Sequence, residues 1–324
     1  MQSLRHARHR YNSDHEFAHK QIPQQKVYVL TQTGLVQVSY GAQGVVELEN
    51  GERLNCHYRR SVGRPYCGDR VEIEWADQQT AVVKRILPRD NVFVRADARQ
   101  RKQTIAANLD QALIVIAARP APSRDLVERY LVAVHSLGIR PVIVLNKAEL
   151  LPDNEFGEDD PLGHMEDYLQ LGYEVLLTSC KTAPGIGALN SVLENRTSIL
   201  VGQSGVGKSS LVNSLLPDLE LQTGSLSRVT GKGTHTTTTT IMYSLPYEGR
   251  LIDSPGVWEY GLWQMKQEEL AEGFVEFRPL LGQCKFNDCR HDQEPHCAIR
   301  AAVESGSLRP WRHQSYIRLL HQSS

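Results

Sequence analysis

The stretch TSILVGQSGVGKSSLVNSLL, residues 197–216, decides the fold class. SILV reads as a short buried strand, GQSGVGKSS (202–210) as a Gly-rich loop, and SSLVNSLL as a helix. Strand, loop, Lys-Ser and helix in that order fit the G-x-x-x-x-G-K-[ST] phosphate loop in the context it requires. Gly202, Gly205 and Gly207 let the backbone curl. The N–H groups of the loop, through Gln203, Ser204 and Val206 to Ser210, can then face phosphate oxygens, helped by the positive end of the helix dipole. Lys208 would reach the β- and γ-phosphates of a nucleotide, and the Ser209 hydroxyl would bind Mg²⁺.

Upstream of the loop the grammar is that of alternating strand and helix. ALIVIAA (112–118) is a continuous apolar run, as expected of a strand covered on both faces. RDLVERYLVAVHSLG after it has apolar residues at 126, 127, 130, 131, 134 and 137, a helical spacing. RPVIVLN, YEVLLTS and TSILVG are further buried-strand candidates. Repeated β-α units imply a parallel, doubly wound sheet that binds ligands beyond the C-terminal ends of its strands.

Three more motifs sit at such ends. LIDSPG supplies Asp253 and, three residues on, Gly256: a carboxylate for the Mg²⁺ shell and an N–H for the γ-phosphate. The same four residues are also an ordinary turn sequence. In VLNKAEL, Asn146 would brace the phosphate loop, Lys147 would lie over a base, and Glu149, beyond Ala148, would accept from the guanine N1–H and N2–H₂. The acid is Glu where Asp is usual. TSCK supplies Ser179, Cys180 and Lys181 as a loop closing over the base. Between phosphate loop and DSPG lies GKGTHTTTTT (231–240), a loop in which Thr236 or Thr237 would meet Mg²⁺, or else a Thr-rich strand. The motif order is therefore base, base loop, phosphate loop, Thr loop, D-x-x-G. In an ordinary GTPase the phosphate loop comes first, so this chain reads as a circular permutation, which preserves a site when the old termini are close.

The flanks have other patterns. Residues 26–95 are β-rich, with alternation in GLVQVSYG and DRVEIEW and a hairpin signal at Asn50-Gly51. An OB-fold barrel is the preferred reading, with an SH3-like barrel similar at this level. Arg59, Arg60 and Arg64 share a loop suited either to nucleic acid or simply to solvent. Residues 1–25 form a polar tail with Arg5, Arg8 and Arg10, an RNA-touching arm or an idle one. Residues 96–261 hold the nucleotide motifs, and 262–324 read as a small helical domain around CKFNDCRHDQEPHC. Cys284, Cys289, His291 and Cys297 suit one closed tetrahedral Zn²⁺ site, with His296 a rival ligand. Three scattered thiols plus one cluster suit a reducing cytoplasm better than a disulfide framework. Over 324 residues the hydrophobic content is 40%, the charged content 23% and the net charge −1, which points to no partner by charge alone. No long uncharged apolar run suggests a membrane span, and the chain is expected to act as a monomer.

Barrel, permuted GTPase and cysteine domain together, with GQSGVGKSSLVN, HTTT and DSPGVWEYGLW, resemble the bacterial small-ribosomal-subunit biogenesis GTPases of the RsgA (YjeQ/EngC) family. The resemblance covers nearly everything after residue 26. It implies a multidomain α/β protein with an OB-fold that binds ribosomal RNA, GTP hydrolysis to GDP stimulated by the small subunit, a structural zinc domain, and action late in subunit maturation. Glu149 and the N-terminal tail depart from the family pattern. Val257 follows Gly256 where many GTPases carry a water-orienting Gln, so His235 of the Thr loop is the candidate catalytic residue, the alternative being that it contacts RNA or merely shapes the loop. Two other functions compete: a GTP-dependent RNA-binding scaffold with negligible turnover, and an ATP-dependent enzyme, the latter resting on Glu149 alone.

Overall fold

The computed structural model describes residues 32–76, 80–96, 102–151, 160–182, 185–216, 240–253 and 265–322. The tail (1–25) and His235, Thr236, Thr237 and Gly256 lie outside the described residues.

Five strands open the described chain: β1 (Gln32–Tyr40), β2 (Gln43–Leu48), β3 (Arg53–Tyr58), β4 (Arg70–Trp75) and β5 (Ala81–Ile86). β1 pairs with both β2 and β4, and β3 runs parallel to β5, so the order β1-β2-β3-β5-β4 closes on itself. This closed five-strand arrangement is the OB-fold. Val36, Val46, Val71, Ile73 and Val83 fill its interior. The expected hairpin lies between β2 and β3, where Gly51 takes φ 81°.

A two-stranded hairpin follows, β6 (Val92–Ala96) and β7 (Lys102–Ala107). It spans the 95/96 boundary expected between barrel and core. Phe93 and Ile105 bury in the same cluster as Ile114 and Ile199, so by packing the hairpin goes with the core.

The core sheet comprises β8 (Gln111–Ala117), β9 (Arg140–Asn146), β10 (Glu174–Leu177), β11 (Thr197–Val201), β12 (Ile241–Ser244) and β13 (Arg250–Asp253). Its order is β10-β9-β8-β11-β13-β12, parallel except for the antiparallel edge strand β12. The helices are α1 (Leu126–Ser136), α2 (Met165–Gln170), α3 (Ile186–Leu193) and α4 (Lys208–Leu215). Strand side chains alternate between faces. Accordingly Ile114, Ile116, Ile143 and Ile199 pack with Val127 and Leu131 of α1. Leu113, Val115, Val144 and Leu200 pack instead with α3 and α4 through Leu189, Leu193 and Leu211. Both faces are covered, which is why these strands read as unbroken apolar runs.

The last unit contains α5 (Gln267–Gly273), α6 (Ala298–Glu304) and α7 (Pro310–Gln322). KQEELAEGFVEFRPLL does not continue as one helix. α5 stops at Gly273, and a 3₁₀ turn takes over at Arg278–Leu280, where Pro279 lacks the N–H a helix interior needs. Gly273 also presses on α1: a Cβ there would lie 2.6 Å from Val132.

The unit is fixed to α1 by charge as well. Arg312 of α7 is 1% exposed, bonds Glu276 through Nε (2.5 Å) and Nη2 (3.1 Å), and reaches Glu128 of α1 at 3.3 Å. The Tyr168 hydroxyl donates to Glu128 as well, and Arg318 forms a two-pronged pair with Asp125 at 2.8 and 2.7 Å.

Candidate nucleotide and metal sites

Asn146 ends β9, Val201 ends β11 and Asp253 ends β13, so the three motifs meet at one edge of the sheet. The chain leaves β11 through Gly202–Gly207 and enters α4 at Lys208. Gly207 takes φ 97° and has no room for a side chain, since a Cβ would lie 2.4 Å from Asn146 Nδ2.

Asn146 is buried, and its Nδ2 donates to the Val206 carbonyl at 2.9 Å. Thr178, also buried, donates to Asn146 Oδ1 at 3.1 Å and sets the amide's orientation. Lys147, in the left-handed region at φ 57°, turns its ammonium across the loop to donate to the Gly205 (2.6 Å) and Arg119 (2.8 Å) carbonyls. Ala148 follows in a short 3₁₀ turn, its N–H bonded to the Thr178 carbonyl at 3.0 Å. Base motif and phosphate loop, 60 residues apart, are therefore one hydrogen-bonded unit.

Glu149 is held from the TSCK loop. Ser179 Oγ donates to its carboxylate at 2.6 Å and in turn accepts from the N–H groups of Lys181 and Thr182, each at 3.2 Å. The Lys181 ammonium lies 3.8 Å from the same carboxylate. The Ser179 bond, with lesser help from Lys181 and Lys147, holds the Glu149 carboxyl below its ordinary pKa. Cys180 packs against the apolar cluster on the α3/α4 side of the sheet.

Lys208 folds back on the phosphate loop, donating to the Gly202 (2.8 Å) and Gln203 (3.0 Å) carbonyls. Burial pushes its pKa down to about 8, against an opposing pull from Asp253. Burial raises the Asp253 carboxyl, with Lys208 acting against it. A half-buried cation and carboxylate at helix and strand ends are suited to a ligand that brings phosphate to the one and a divalent cation to the other. Ser209 and Ser210 stand exposed at the first turn of α4 beside them. Gln203 fixes the loop's other side, donating through Nε2 to the Pro120 (3.0 Å) and Ala121 (2.7 Å) carbonyls. The 119–121 carbonyls escaped the sequence reading because a bond to a backbone carbonyl leaves no trace in residue type, and Thr178 did because its partner Asn146 lies 32 residues away.

In the last unit, Cys284, Cys289, His291 and Cys297 bring their ligand atoms within 4.8 Å of one another. Cys284 Sγ lies 3.9 Å from Cys297 Sγ, and both lie 3.5 Å from His291 Nδ1. A tetrahedron with bonds of about 2.3 Å to sulfur and 2.0–2.1 Å to nitrogen has edges of about 3.5–3.8 Å, so the donor set fits a tetrahedral metal ion. Burial raises the Cys289 thiol to about 12 and also pushes the Cys297 thiol upward, so a bound cation would have to stabilise their thiolate forms. His296 is not in the cluster. The surrounding shell orients the loop. Ala298 N–H points at Cys284 Sγ (3.4 Å), His313 Nε2 donates to the His291 carbonyl (2.7 Å), and Tyr316 donates to the Arg290 carbonyl (2.9 Å).

On the barrel, the β3–β4 loop carries the three arginines. Arg59 pairs with Glu74 at 2.5 Å and Arg64 lies 5.7 Å from the Tyr66 ring centre, with Arg60 exposed between them. Among the described residues no helix is long and apolar enough to cross a membrane.

A family profile described as RsgA GTPase matches residues 86–263. The "Small ribosomal subunit biogenesis GTPase RsgA" of Chromohalobacter salexigens is 46% identical over 287 residues, covering 87% of this chain and 84% of that one. Its namesake in Azotobacter vinelandii is 43% identical over 293 residues, covering 89% and 85%. Among solved structures, YjeQ from Thermotoga maritima superposes with a TM-score of 0.73 at 30% identity, over 91% of this chain and 99% of that one. YloQ, described as a circularly permuted GTPase, gives 0.71 at 27% identity, over 92% and 96%.

Proposed function

The chain belongs to the RsgA GTPase family, and from that membership we propose a GTP-hydrolysing factor acting late in maturation of the small ribosomal subunit, its turnover stimulated by that subunit. The observation that carries the nucleotide reading is the Asn146–Val206 bond, which locks base motif to phosphate loop. In this reading Lys208 and the N–H groups of residues 202–210 hold the phosphates, and Ser209, Asp253 and Thr236 or Thr237 surround Mg²⁺. Asn146, Lys147, Ala148 and Glu149, closed over by Ser179, Cys180 and Lys181, take the guanine. Gly256 contributes its N–H to the γ-phosphate, and His235 positions the attacking water. Of these, His235, Thr236, Thr237 and Gly256 rest on sequence alone.

The metal of the Cys₃His cluster is zinc in this reading, structural because four protein ligands leave no position open. The barrel that ends with β5 at Ile86 binds rRNA, the chain from there to about residue 261, including the β6–β7 hairpin, forms the GTPase unit, and 262–324 form the zinc domain of a cytoplasmic monomer. The test is GTP turnover by the purified chain with and without small ribosomal subunits. Stimulation by the subunit supports the proposal. Binding of GTP and subunit with negligible turnover in both conditions would favour the scaffold reading instead.

A further inference from the structure

The barrel is joined edge-on to the core sheet. β1, closed into the barrel by β2 and β4, also pairs with β12, the edge strand of the core. That pairing is one residue deep, Val38 opposite Ile241, and Ile241 in turn stands opposite Asp253 on β13. Val38, Ile241 and Asp253 therefore form a lateral row running from barrel to phosphate site. At about 4.8 Å per strand, the Asp253 backbone lies on the order of 10 Å from the barrel's first strand.

Two further features mark this joint. Arg53 of β3 donates to Ser244 Oγ of β12 at 3.2 Å while pairing with Glu47 at 2.9 Å, and Ser244 reaches the same carboxylate at 3.4 Å. β1 also bulges between Val36 and Val38. The bulge residue Gln37 is fully buried, and among the described residues neither atom of its side-chain amide has a hydrogen-bond partner. A buried amide left unpaired is costly, and a bulge is where a strand can re-aim a side chain, so the bulge is the place where a shift of β1 would be taken up. The joint thus has the makings of a two-state element between two sites.

We propose that this joint couples the phosphate site to RNA binding on the barrel, with Arg53 and Gln37 as its positioning residues. A ligand ion that fixes Asp253 fixes the end of β13. Ile241 must follow or break its ladder, and Val38 carries the shift into the bulge of β1. Coupling of this kind is reciprocal: RNA on the barrel changes affinity for the nucleotide by the factor by which the nucleotide changes affinity for RNA. The inference rests on the proposed reading of GTP at Asp253 and RNA at the barrel.

The experiment measures binding of a labelled oligouridylate of about 12 nucleotides, within the span of one OB-fold site. The full chain is loaded in turn with nothing, with GDP, and with the β,γ-imido analogue of GTP. In the parent, RNA affinity should differ between GDP and the analogue by roughly 5- to 150-fold. Arg53→Ala and Ser244→Ala should bring that ratio toward one, leaving RNA affinity without nucleotide and nucleotide affinity without RNA unchanged. Gln37→Leu removes the orphaned amide instead of a bond. It should lower the ratio too while raising thermal stability, an outcome simple weakening of the interface would not give. A parent ratio of one with both ligands bound, or variants that keep the parent ratio, overturns the inference. If the parent fails to bind one ligand at all, the underlying reading of that site falls and takes the coupling with it.

Discussion

Arg312 is the clearest place to test how the last unit is held on the GTPase core. Its guanidinium is buried between Glu276 and Glu128, and its central carbon lies 4.6 Å from the Phe274 ring centre. Burial alone would lower its pKa, but the two carboxylates outweigh burial and the net direction is up. Arg312→Ala leaves two carboxylates in the cavity, with Glu128, 2% exposed, keeping among the described residues its bond from Tyr168. Removing one partner of a buried ion pair costs about 3–5 kcal/mol, chiefly through the charge left behind. If that cost falls on docking of α7 against α1, amide exchange in α7 should accelerate by about 2 to 3.5 orders of magnitude. Hydrogen exchange followed by mass spectrometry reads this directly. Trp311, stacked on His164 at 3.9 Å, gives a fluorescence signal for the same opening. Neutralising the stranded acids in an Arg312→Met, Glu128→Gln, Glu276→Gln variant should recover much of the loss. Acceleration of less than about tenfold in Arg312→Ala, or a triple variant no more protected than the single one, would refute the reasoning.

The remaining predictions concern the two sites. Lys208 has its pKa depressed to about 8 in the ligand-free chain and must be charged to hold phosphate. Nucleotide affinity should therefore be constant below pH 8 and fall by up to about tenfold per unit above it; in Lys208→Arg, whose guanidinium does not titrate there, that slope should vanish. Glu149→Ala removes a charge-assisted pairing worth about 2–3 kcal/mol, so competition binding should show GTP weakened roughly 30- to 150-fold and ATP little changed. Elemental analysis should find about one zinc per chain, and Cys284→Ser should abolish it and expose residues 265–322 to protease while the core sheet stays protected. Metal-free protein with that segment protected would refute the metal's structural role. His235→Ala should keep GTP and subunit binding but lose most subunit-stimulated turnover; stimulated turnover that survives in that variant assigns the water to another group.

The motifs were legible because their chemistry is local. A phosphate loop needs Gly at close approaches and Lys-Ser at a helix start, and a metal site needs four donors within one short segment. Barrel closure was only half legible, since β3 and β5 pair in parallel across intervening chain that carries no pairing code. Gln37 shows the limit most clearly. In GLVQVSYG it reads as the outward, polar partner of Val36 and Val38, yet a bulge turns it inward at the joint with the core. Glu128 in RDLVERYLV likewise reads as a solvent-facing helix acid. It is buried because Arg312, 184 residues later, arrives to meet it. Long-range partners of this kind cannot be read from a residue's own neighbourhood.

The permuted order has a geometric consequence for how the added domains are placed. The chain enters the core sheet at β8 and leaves it at β13, and in the strand order these two flank β11, which leads into the phosphate loop. Without permutation β11 would open the core and β10, at the far edge, would close it, so a following domain would hang four strands away from β13. Joining α3 to β11 and opening the chain between β13 and β8 instead puts the entry and exit strands on either side of the phosphate site. The unit that follows β13 packs on α1, which runs directly from β8, and the barrel that precedes β8 packs on β12, which pairs with β13. Each domain is thereby tied, by chain on one side and by contact on the other, to both neighbours of the strand that carries the phosphate loop. A change in what occupies that loop then has short mechanical routes to both domains, and each route has residues that can be removed one at a time: Arg53 and Gln37 on the barrel side, Arg312 and Arg318 on the other.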